Sequence, residues 1–290
     1  MNVLSLPVFP KLASSVRSTV RTLAPRCANP ACNSVSLFHG FVARNNTGAR
    51  IEDNWYCSPD CFEAAIKSYV RGLITSAAPY LPRRSRMPLG LTLLSRGLIN
   101  DEQLKTVVQE QRNIASGKKI GDILIERGFA TEGQVTSAVA SQWGVPVFAL
   151  GARYFDVQVR IPYSLLEIYS LLPIHFGEKA NRLLVGFVNG VEHRILSAIE
   201  RVTGCATEPC FITATDYRQH LRAAASEMQY EEALFERPSS VSEMAKIVRN
   251  YAIQIGADEA RFGYCRDYVW SRLRGARREI DLLFRLPSGL

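Results

Sequence analysis

Two close pairs of cysteines are the residues whose type and spacing most directly suggest chemistry. Four residues separate Cys27 from Cys32, three separate Cys57 from Cys61, and 24 residues lie between the two pairs. Two such pairs can bring four thiolates around one tetrahedral zinc ion, which then has no open position for a substrate. The spacing therefore predicts a structural zinc site. His39 is an alternative ligand that four cysteines make unnecessary.

The elements around the second pair should place its cysteines at the start of a helix. Residues Phe62–Ile74 form a predicted helix directly after Cys61, and Ser58, Pro59 or Asp60 supplies its beginning. The dipole of a helix favours thiolates at its N-terminus. This arrangement strengthens the prediction that the second pair binds metal.

The insert between the pairs, Asn33–Tyr56, is predicted to form a β-hairpin with turn-forming residues at Asn45–Gly48. Hairpin, cysteines and helix together resemble treble-clef zinc modules, in which a Tyr/Phe-Cys-Ser-x-x-Cys element opens the last helix. Here the second spacing is one residue longer than in the commonest version, and the first pair encloses four residues rather than two. The resemblance implies a zinc module over residues 26–75.

The other three cysteines are predicted to be buried side chains without a metal role. Cys205 and Cys210 repeat the spacing of the first pair, but they lie where a helix stops and a strand begins. Cys265 has no neighbouring partner, and buried free cysteine behaves as a small hydrophobic residue. Four scattered histidines, which form no visible constellation with a nucleophile and a carboxylate, give no indication of an enzyme.

An internal repeat is the second informative feature. Pro88–Gln111 and Lys119–Gln142 follow one 24-residue template. The template has glycine third and tenth, apolar residues sixth, seventeenth and twenty-first, and glutamine last. The matching residues are Gly90, Leu93, Gly97, Leu104, Val108 and Gln111 in the first copy, and Gly121, Leu124, Gly128, Val135, Val139 and Gln142 in the second.

Each copy is predicted to form two short helices. Glycine ends the first helix, at Leu89–Arg96 or Ile120–Arg127, and a capping box opens the second. The capping pairs are Asn100 with Gln103 and Thr131 with Gln134. The apolar spacing places one face of each helix inward, which predicts a compact bundle of four short helices with pseudo-twofold character.

The doubled pattern resembles the N-terminal domain of type II secretion and type IV pilus assembly ATPases. Trp143-Gly144-Val145-Pro146 is similar to that family's exit from the second copy, and Leu165–Pro173 to its leucine-rich segment leading to proline. Alternating strand and helix patterns over residues 150–226 also predict a small α/β unit from the residues alone. The resemblance covers about residues 88–226.

In a subset of that family the two copies together bind cyclic di-GMP, which implies a nucleotide site here as an alternative function. The arginine that opens each copy in binders is replaced by Pro88 and Lys119, although Arg86 lies two residues upstream. Lysine lacks the planar fork with which arginine reads guanine and phosphate. The candidate residues are Arg86, Leu89, Gly90, Leu93, Gln111, Lys119, Ile120, Gly121, Leu124 and Gln142.

Residues 238–290 resemble the start of the family's next domain. A capping box at Ser240 and Glu243 opens a predicted helix Val241–Ile255, and three predicted strands follow it. The phosphate-binding pattern G-x-x-x-x-G-K-[ST] does not occur in the sequence, so no ATPase activity is predicted.

Composition adds weaker constraints. The net charge of +8 and the basic runs at Arg83–Arg86 and Arg272–Arg278 leave nucleic-acid binding as a second alternative. No apolar run is long enough to span a membrane, and residues 1–25, a predicted tail, make a poor signal peptide. A cytoplasmic location follows as an expectation.

Taken together, the sequence predicts an α+β protein of three parts. These are the zinc module, the repeat with its α/β companion after a basic linker at residues 76–87, and the partial ATPase-like segment. The predicted function is non-catalytic regulation or assembly through protein contacts with a bacterial secretion, pilus or signalling machine.

Overall fold

A computed structural model describes residues 26–32, 48–76, 86–113, 117–150, 159–227 and 231–286. In chain order its elements begin with a hairpin, β1 (Ala49–Ile51) and β2 (Asn54–Tyr56), and helix α1 (Pro59–Thr75). The repeat contributes α2 (Leu89–Ser95), α3 (Asp101–Asn113), α4 (Ile120–Glu126) and α5 (Glu132–Trp143). Of the predicted turn at Asn45–Gly48, residues 45–47 lie outside the described residues, and the described hairpin turns instead at Glu52 and Asp53.

The remaining elements alternate strands and helices. They are α6 (Tyr163–Tyr169), β3 (Leu171–Gly177), a 3-10 turn (Glu178–Ala180), β4 (Arg182–Phe187), α7 (His193–Thr203), β5 (Ala206–Phe211), α8 (Ala214–Glu227), β6 (Glu231–Phe235), α9 (Val241–Ile255), β7 (Ala257–Cys265), β8 (Tyr268–Gly275) and β9 (Glu279–Arg285). The predicted α+β class is confirmed.

Two sheets organise the described residues. The larger has the order β2-β1-β7-β8-β9-β6, in which β1 with β7 and β9 with β6 are parallel pairs and the others antiparallel. The smaller has the order β3-β4-β5, with β3 and β4 antiparallel and β4 and β5 parallel. The hairpin from the predicted zinc module thus shares a sheet with strands from the end of the chain.

The larger sheet has an apolar side chain layer on each face because successive residues of a strand point to opposite sides. On one face, Val269 and Leu273 of β8 pack in a core with residues of α1 and α9, including Ile66 and Val248. On the other face, Trp270 of β8 joins the core of the α/β unit. The sheet therefore holds the first and last parts of the chain against the middle.

Helix α7 crosses β7 at very short range on the second face. A Cβ atom added to Gly263 would lie 2.8 Å from the Cβ of Ala198 and 3.0 Å from its carbonyl oxygen. Since only a hydrogen fits in this space, glycine is required at the crossing. The contact fixes α7 directly on the sheet.

Most predicted element ends agree with the structure to within a few residues, and the differences have local causes. The cap of α8 is Thr213, whose Oγ1 accepts from the Asp216 N–H at 3.0 Å, rather than Thr215 or Asp216. Strand β6 was not predicted at all. It is a short edge strand with a half-exposed pattern, and it forms only by pairing with β9.

Candidate metal centre and repeat

The four cysteines of the two pairs come together at one end of α1. Cys27 and Cys32 lie in the segment before the hairpin, Cys57 directly follows β2, and Cys61 lies in the first turn of α1. Their four Sγ atoms are all within 4.8 Å of one another. The Sγ of Cys57 is 3.5 Å from that of Cys32 and 3.9 Å from that of Cys61.

This spacing fits a tetrahedral thiolate site. A zinc ion with four sulfurs at about 2.3 Å requires sulfur–sulfur distances of about 3.8 Å. Each cysteine is half-buried, and burial is the largest influence on Cys27, whose pKa it raises. A cation among the thiols would offset that effect because it stabilises the deprotonated form.

Neighbouring side chains orient two parts of the cluster. Asn29 donates from Nδ2 to the Sγ of Cys61 at 3.2 Å, while its Oδ1 accepts from the Ala31 N–H at 3.0 Å. Ser58 caps α1 by accepting from the Cys61 N–H at 3.2 Å. Donors to sulfur and a fixed backbone are the surroundings that hold metal ligands in place.

The cluster is joined to the sheet by hydrogen bonds and ion pairs. The Ala28 N–H donates to the Trp55 carbonyl at 2.8 Å, which ties the first cysteine segment to β2. Glu63 of α1 lies 2.5 Å from an Arg249 nitrogen of α9 and 2.6 Å from Lys67. The cysteine cluster and the end of the chain therefore form one packed unit. The alternative ligand His39 lies outside the described residues.

The other three cysteines are buried in the cores, as expected, and do not join the cluster. Cys205, Cys210 and Cys265 are at most 3% exposed. Burial raises the pKa of Cys210 to about 12 and also raises that of Cys265. Thiols in this state are poor ligands and poor nucleophiles.

The two glycines at the third position of the repeat lie where the two copies meet. A Cβ atom on Gly90 would be 2.5 Å from Leu104 and 3.3 Å from Ile120 of the second copy. One on Gly121 would be 3.0 Å from Val135 and 3.3 Å from Leu89 of the first copy. Each glycine thus admits a side chain from the opposite copy, as expected for a pseudo-twofold pair.

The glutamines that end the copies make a reciprocal pair of bonds. Gln111 donates to the Lys118 carbonyl at 3.0 Å, just before the second copy, and Gln142 donates to the Met87 carbonyl at 2.6 Å, just before the first. Gln142 also donates to the Thr92 hydroxyl at 3.2 Å. Both amides therefore hold the ends of the copies together.

The remaining candidate nucleotide residues are divided between core and surface. Leu93 and Leu124 are fully buried, so their side chains cannot reach a ligand. The guanidinium of Arg86 lies over the Trp143 ring, 3.3 Å from its centroid. Lys119 donates to Asn189 of the α/β unit at 2.6 Å. Both cations thus contact protein groups in this structure.

Exposed apolar side chains on the first copy were missed by the sequence reasoning. Met87, which precedes α2, is 58% exposed, and Leu91, in the first turn of α2, is 47% exposed. The equivalent residues of the second copy are Lys118 and Asp122, and Lys118 is paired with Glu126 at 2.9 Å. Aligning the copies and comparing their outward positions would have revealed this asymmetry.

Comparison with known proteins confirms the expected similarity to secretion and pilus assembly ATPases. The chain is 25% identical over 123 residues to the type IV pilus assembly ATPase PilB of Thermus thermophilus. It is 30% identical over 123 residues to bacteriophage adsorption protein B of Escherichia coli K12. Each match covers 42% of this chain but only 14% and 16% of the respective relatives.

Among solved structures, the chain is similar to a structure of MshE with cdg. The similarity covers 48% of this chain and 99% of that chain, with 21% identity and a TM-score of 0.40. No protein-family model matches the chain. Within the described residues, no helix combines the length and apolar character needed to cross a membrane.

Proposed function

We propose that the protein is a zinc-containing, non-catalytic module that regulates or assembles a bacterial secretion or pilus machine through protein contacts, in the cytoplasm, where thiols stay reduced. The observation that carries the proposal is the gathering of four cysteine sulfurs within 4.8 Å at the edge of the larger sheet. Four thiolates fill the coordination sphere of zinc, so the ion would be structural.

The position of the cluster supports a structural role in a second way. Its hairpin supplies β1, which pairs with β7, and its helix packs on α9. A metal that fixes the hairpin to the start of α1 would therefore stabilise the whole larger sheet, rather than a small appended module.

The partial match to the curated relatives supports the link to a secretion or pilus machine. PilB is named an assembly ATPase, and the shared region is a small fraction of it. Without the phosphate-binding pattern in its sequence, this chain would act on such a machine and not replace its motor.

The exposed pair Met87 and Leu91 supports contact with protein. Exposed apolar side chains are a feature of docking surfaces, and both Met87, just before α2, and Leu91, in its first turn, are exposed. The second copy has charged residues at the same positions. We propose that the first copy is the contact surface and that the second is a solvated counterpart.

Metal analysis of the full-length protein tests the zinc site. We expect one zinc per chain by elemental analysis, and loss of that zinc in Cys57→Ser. Cys205→Ala is the matched control, because it removes a buried thiol outside the cluster and should keep the metal. If the folded protein contains no zinc after purification under reducing conditions, this part of the proposal is refuted.

Co-purification tests the contact surface. The tagged chain is expected to retain a pilus or secretion assembly ATPase encoded in the same genome, and Leu91→Asp to release it. Asp122→Asn, at the equivalent position of the second copy, should leave retention unchanged. Equal loss in both variants would place the contact elsewhere, and ATP turnover by the purified chain alone would contradict a non-catalytic role.

A further inference from the structure

A cleft of about 300 Å³ lies at the opposite end of α1 from the cysteines. Its walls are the C-terminal end of α1, one face of α7 and the end of β7. The described residues that line it include two arginines and one histidine, and they include no aspartate or glutamate. The cleft therefore carries two guanidinium groups, one of them close to the Glu52 carboxylate, and it is separate from both the cluster and the repeat.

Helix α7 presents the two arginines on one face. Arg194, Ser197 and Arg201 occupy positions i, i+3 and i+7, so they lie in one row over two turns. The two arginine Cα positions are about 10 Å apart along the axis, and both side chains are long enough to meet beside Ser197. The Ser197 hydroxyl thus lies between the two arginine positions on the same helix face.

The guanidinium of Arg201 is held at one end of the cleft. Its Nη2 donates to the Tyr69 hydroxyl at 3.1 Å and lies 3.6 Å from an oxygen of Glu52. Tyr69 in turn donates to Glu52. A guanidinium has five N–H donors, so these contacts orient Arg201 and leave donors for a ligand.

Apart from Ser76, Ser197 and His193, the rest of the cleft is apolar. Leu73 of α1 is buried, Tyr264 of β7 is half-buried, and the Arg194 guanidinium lies 5.7 Å from the centroid of the Tyr264 ring. A flat organic group can lie between Leu73 and Tyr264 while its charged end faces the arginines.

We propose that this cleft binds a phosphate monoester with an aromatic organic part. The phosphate carries close to two negative charges at neutral pH and three terminal oxygens, which match two arginine forks and the Ser197 hydroxyl. The aromatic part contacts Leu73 and Tyr264. Because the ligand touches both α1 and α7, binding also links the unit that contains the cysteines to the α/β unit.

Calorimetric titration of the full-length protein with phenyl phosphate tests the site, at constant ionic strength in chloride. We expect saturable binding, and affinity reduced by about tenfold or more in Arg194→Gln, as for the loss of a charged hydrogen bond. Arg237→Gln, an exposed arginine outside the cleft, is the matched charge control and should bind as wild type. Ser197→Ala, with its smaller change, should weaken binding by a few-fold.

Three outcomes would overturn the proposal. The first is no binding above the chloride background, and the second is equal loss of affinity in Arg194→Gln and Arg237→Gln. The third is equal affinity for phenyl phosphate, benzoate and inorganic phosphate, since the cleft would then recognise charge alone. Tighter binding of phenyl phosphate than of both other anions, with the loss confined to the cleft variants, supports it.

Discussion

The cysteine cluster and the helical repeat solve the same problem in different ways. Both regions are small, and small units bury too little apolar surface to be stably folded on their own. The repeat obtains its stability by duplication, since each copy covers the apolar face of the other and each terminal glutamine bonds the residue that precedes the opposite copy. The cysteine region instead gathers four thiols and attaches its hairpin to a distant strand.

The difference predicts how the stability of each region responds to a substitution. A metal site concentrates stability in a few ligands, whereas a duplicated bundle spreads it over equivalent pairs. One substitution in the cluster should therefore disrupt a whole unit, and one substitution in the repeat should have a matching effect at the equivalent position of the other copy.

The largest effect is expected from Cys57→Ser. Losing one of four thiolates should remove the metal and cost the cysteine unit more than about 4 kcal/mol of local stability. Hydrogen exchange should then accelerate in β1, β2 and α1 while α2 to α5 keep their protection. If hydrogen exchange accelerates equally in the repeat, the two regions do not unfold independently.

Leucine truncations in the repeat should have the next largest effect. Leu93→Ala and Leu124→Ala each remove a fully buried side chain, and each should lower the free energy of unfolding by about 3 kcal/mol. Denaturant titration measures both. Leu91→Ala, at an exposed position, should change the free energy of unfolding by less than about 0.5 kcal/mol. Unequal losses at the two buried leucines would break the equivalence of the copies.

A pH-dependent difference is expected at Glu63, on the helix that follows the cysteines. Lys67, which hydrogen-bonds the carboxylate, and then Arg249 lower its pKa below the ordinary value of 4.5. The ionised carboxylate therefore contributes stability above pH 4.5, and this contribution is lost as the pH falls through the lowered folded-state pKa.

Glu63→Gln should lower the stability of the cysteine unit by about 2 kcal/mol at pH 7, the cost of losing charged hydrogen bonds. The difference in stability between variant and wild type, measured by thermal unfolding, should become smaller as the pH is lowered from 7 to 3. A gap that stays constant over that range would show that the Glu63 charge does not matter.

The smallest effects are expected from the terminal glutamines. Gln142→Ala should cost about 1 kcal/mol, because it removes bonds to the Met87 carbonyl and the Thr92 hydroxyl. Gln111→Ala should cost somewhat less, because only its bond to the Lys118 carbonyl is lost. Gln109→Ala, an exposed position on the same helix as Gln111, is the control for helix propensity. A larger effect at Gln111 would contradict the bonding pattern.

Local sequence signals predicted most of the secondary structure. The capping pairs Asn100 with Gln103 and Thr131 with Gln134 both form, and Ser240 caps α9. These features depend on residues a few positions apart, so one sequence is enough to find them. The local spacing within each cysteine pair was visible in the same way, and the meeting of the two pairs was inferred from the zinc-binding pattern.

Long-range pairing could not be predicted from the sequence. Nothing in Ala49–Ile51 indicates that it pairs in parallel with β7, and β6 becomes a strand only beside β9. The cleft on α7 was missed because Leu73, Arg194 and Tyr264 are far apart in the chain. The reciprocal roles of Gln111 and Gln142 required knowing that the copies face each other.

The parallel pairing of β1 with β7 has a consequence for biosynthesis. Arg50 pairs with Glu259, so the hairpin leaves the ribosome long before its partner strand has been made. Until then the apolar side of α1, including Ile66, has neither α9 nor the sheet to cover it. Metal captured by the cysteines during this interval would keep the hairpin and helix together while synthesis continues, and chaperones would meet a partly formed unit rather than an extended apolar segment.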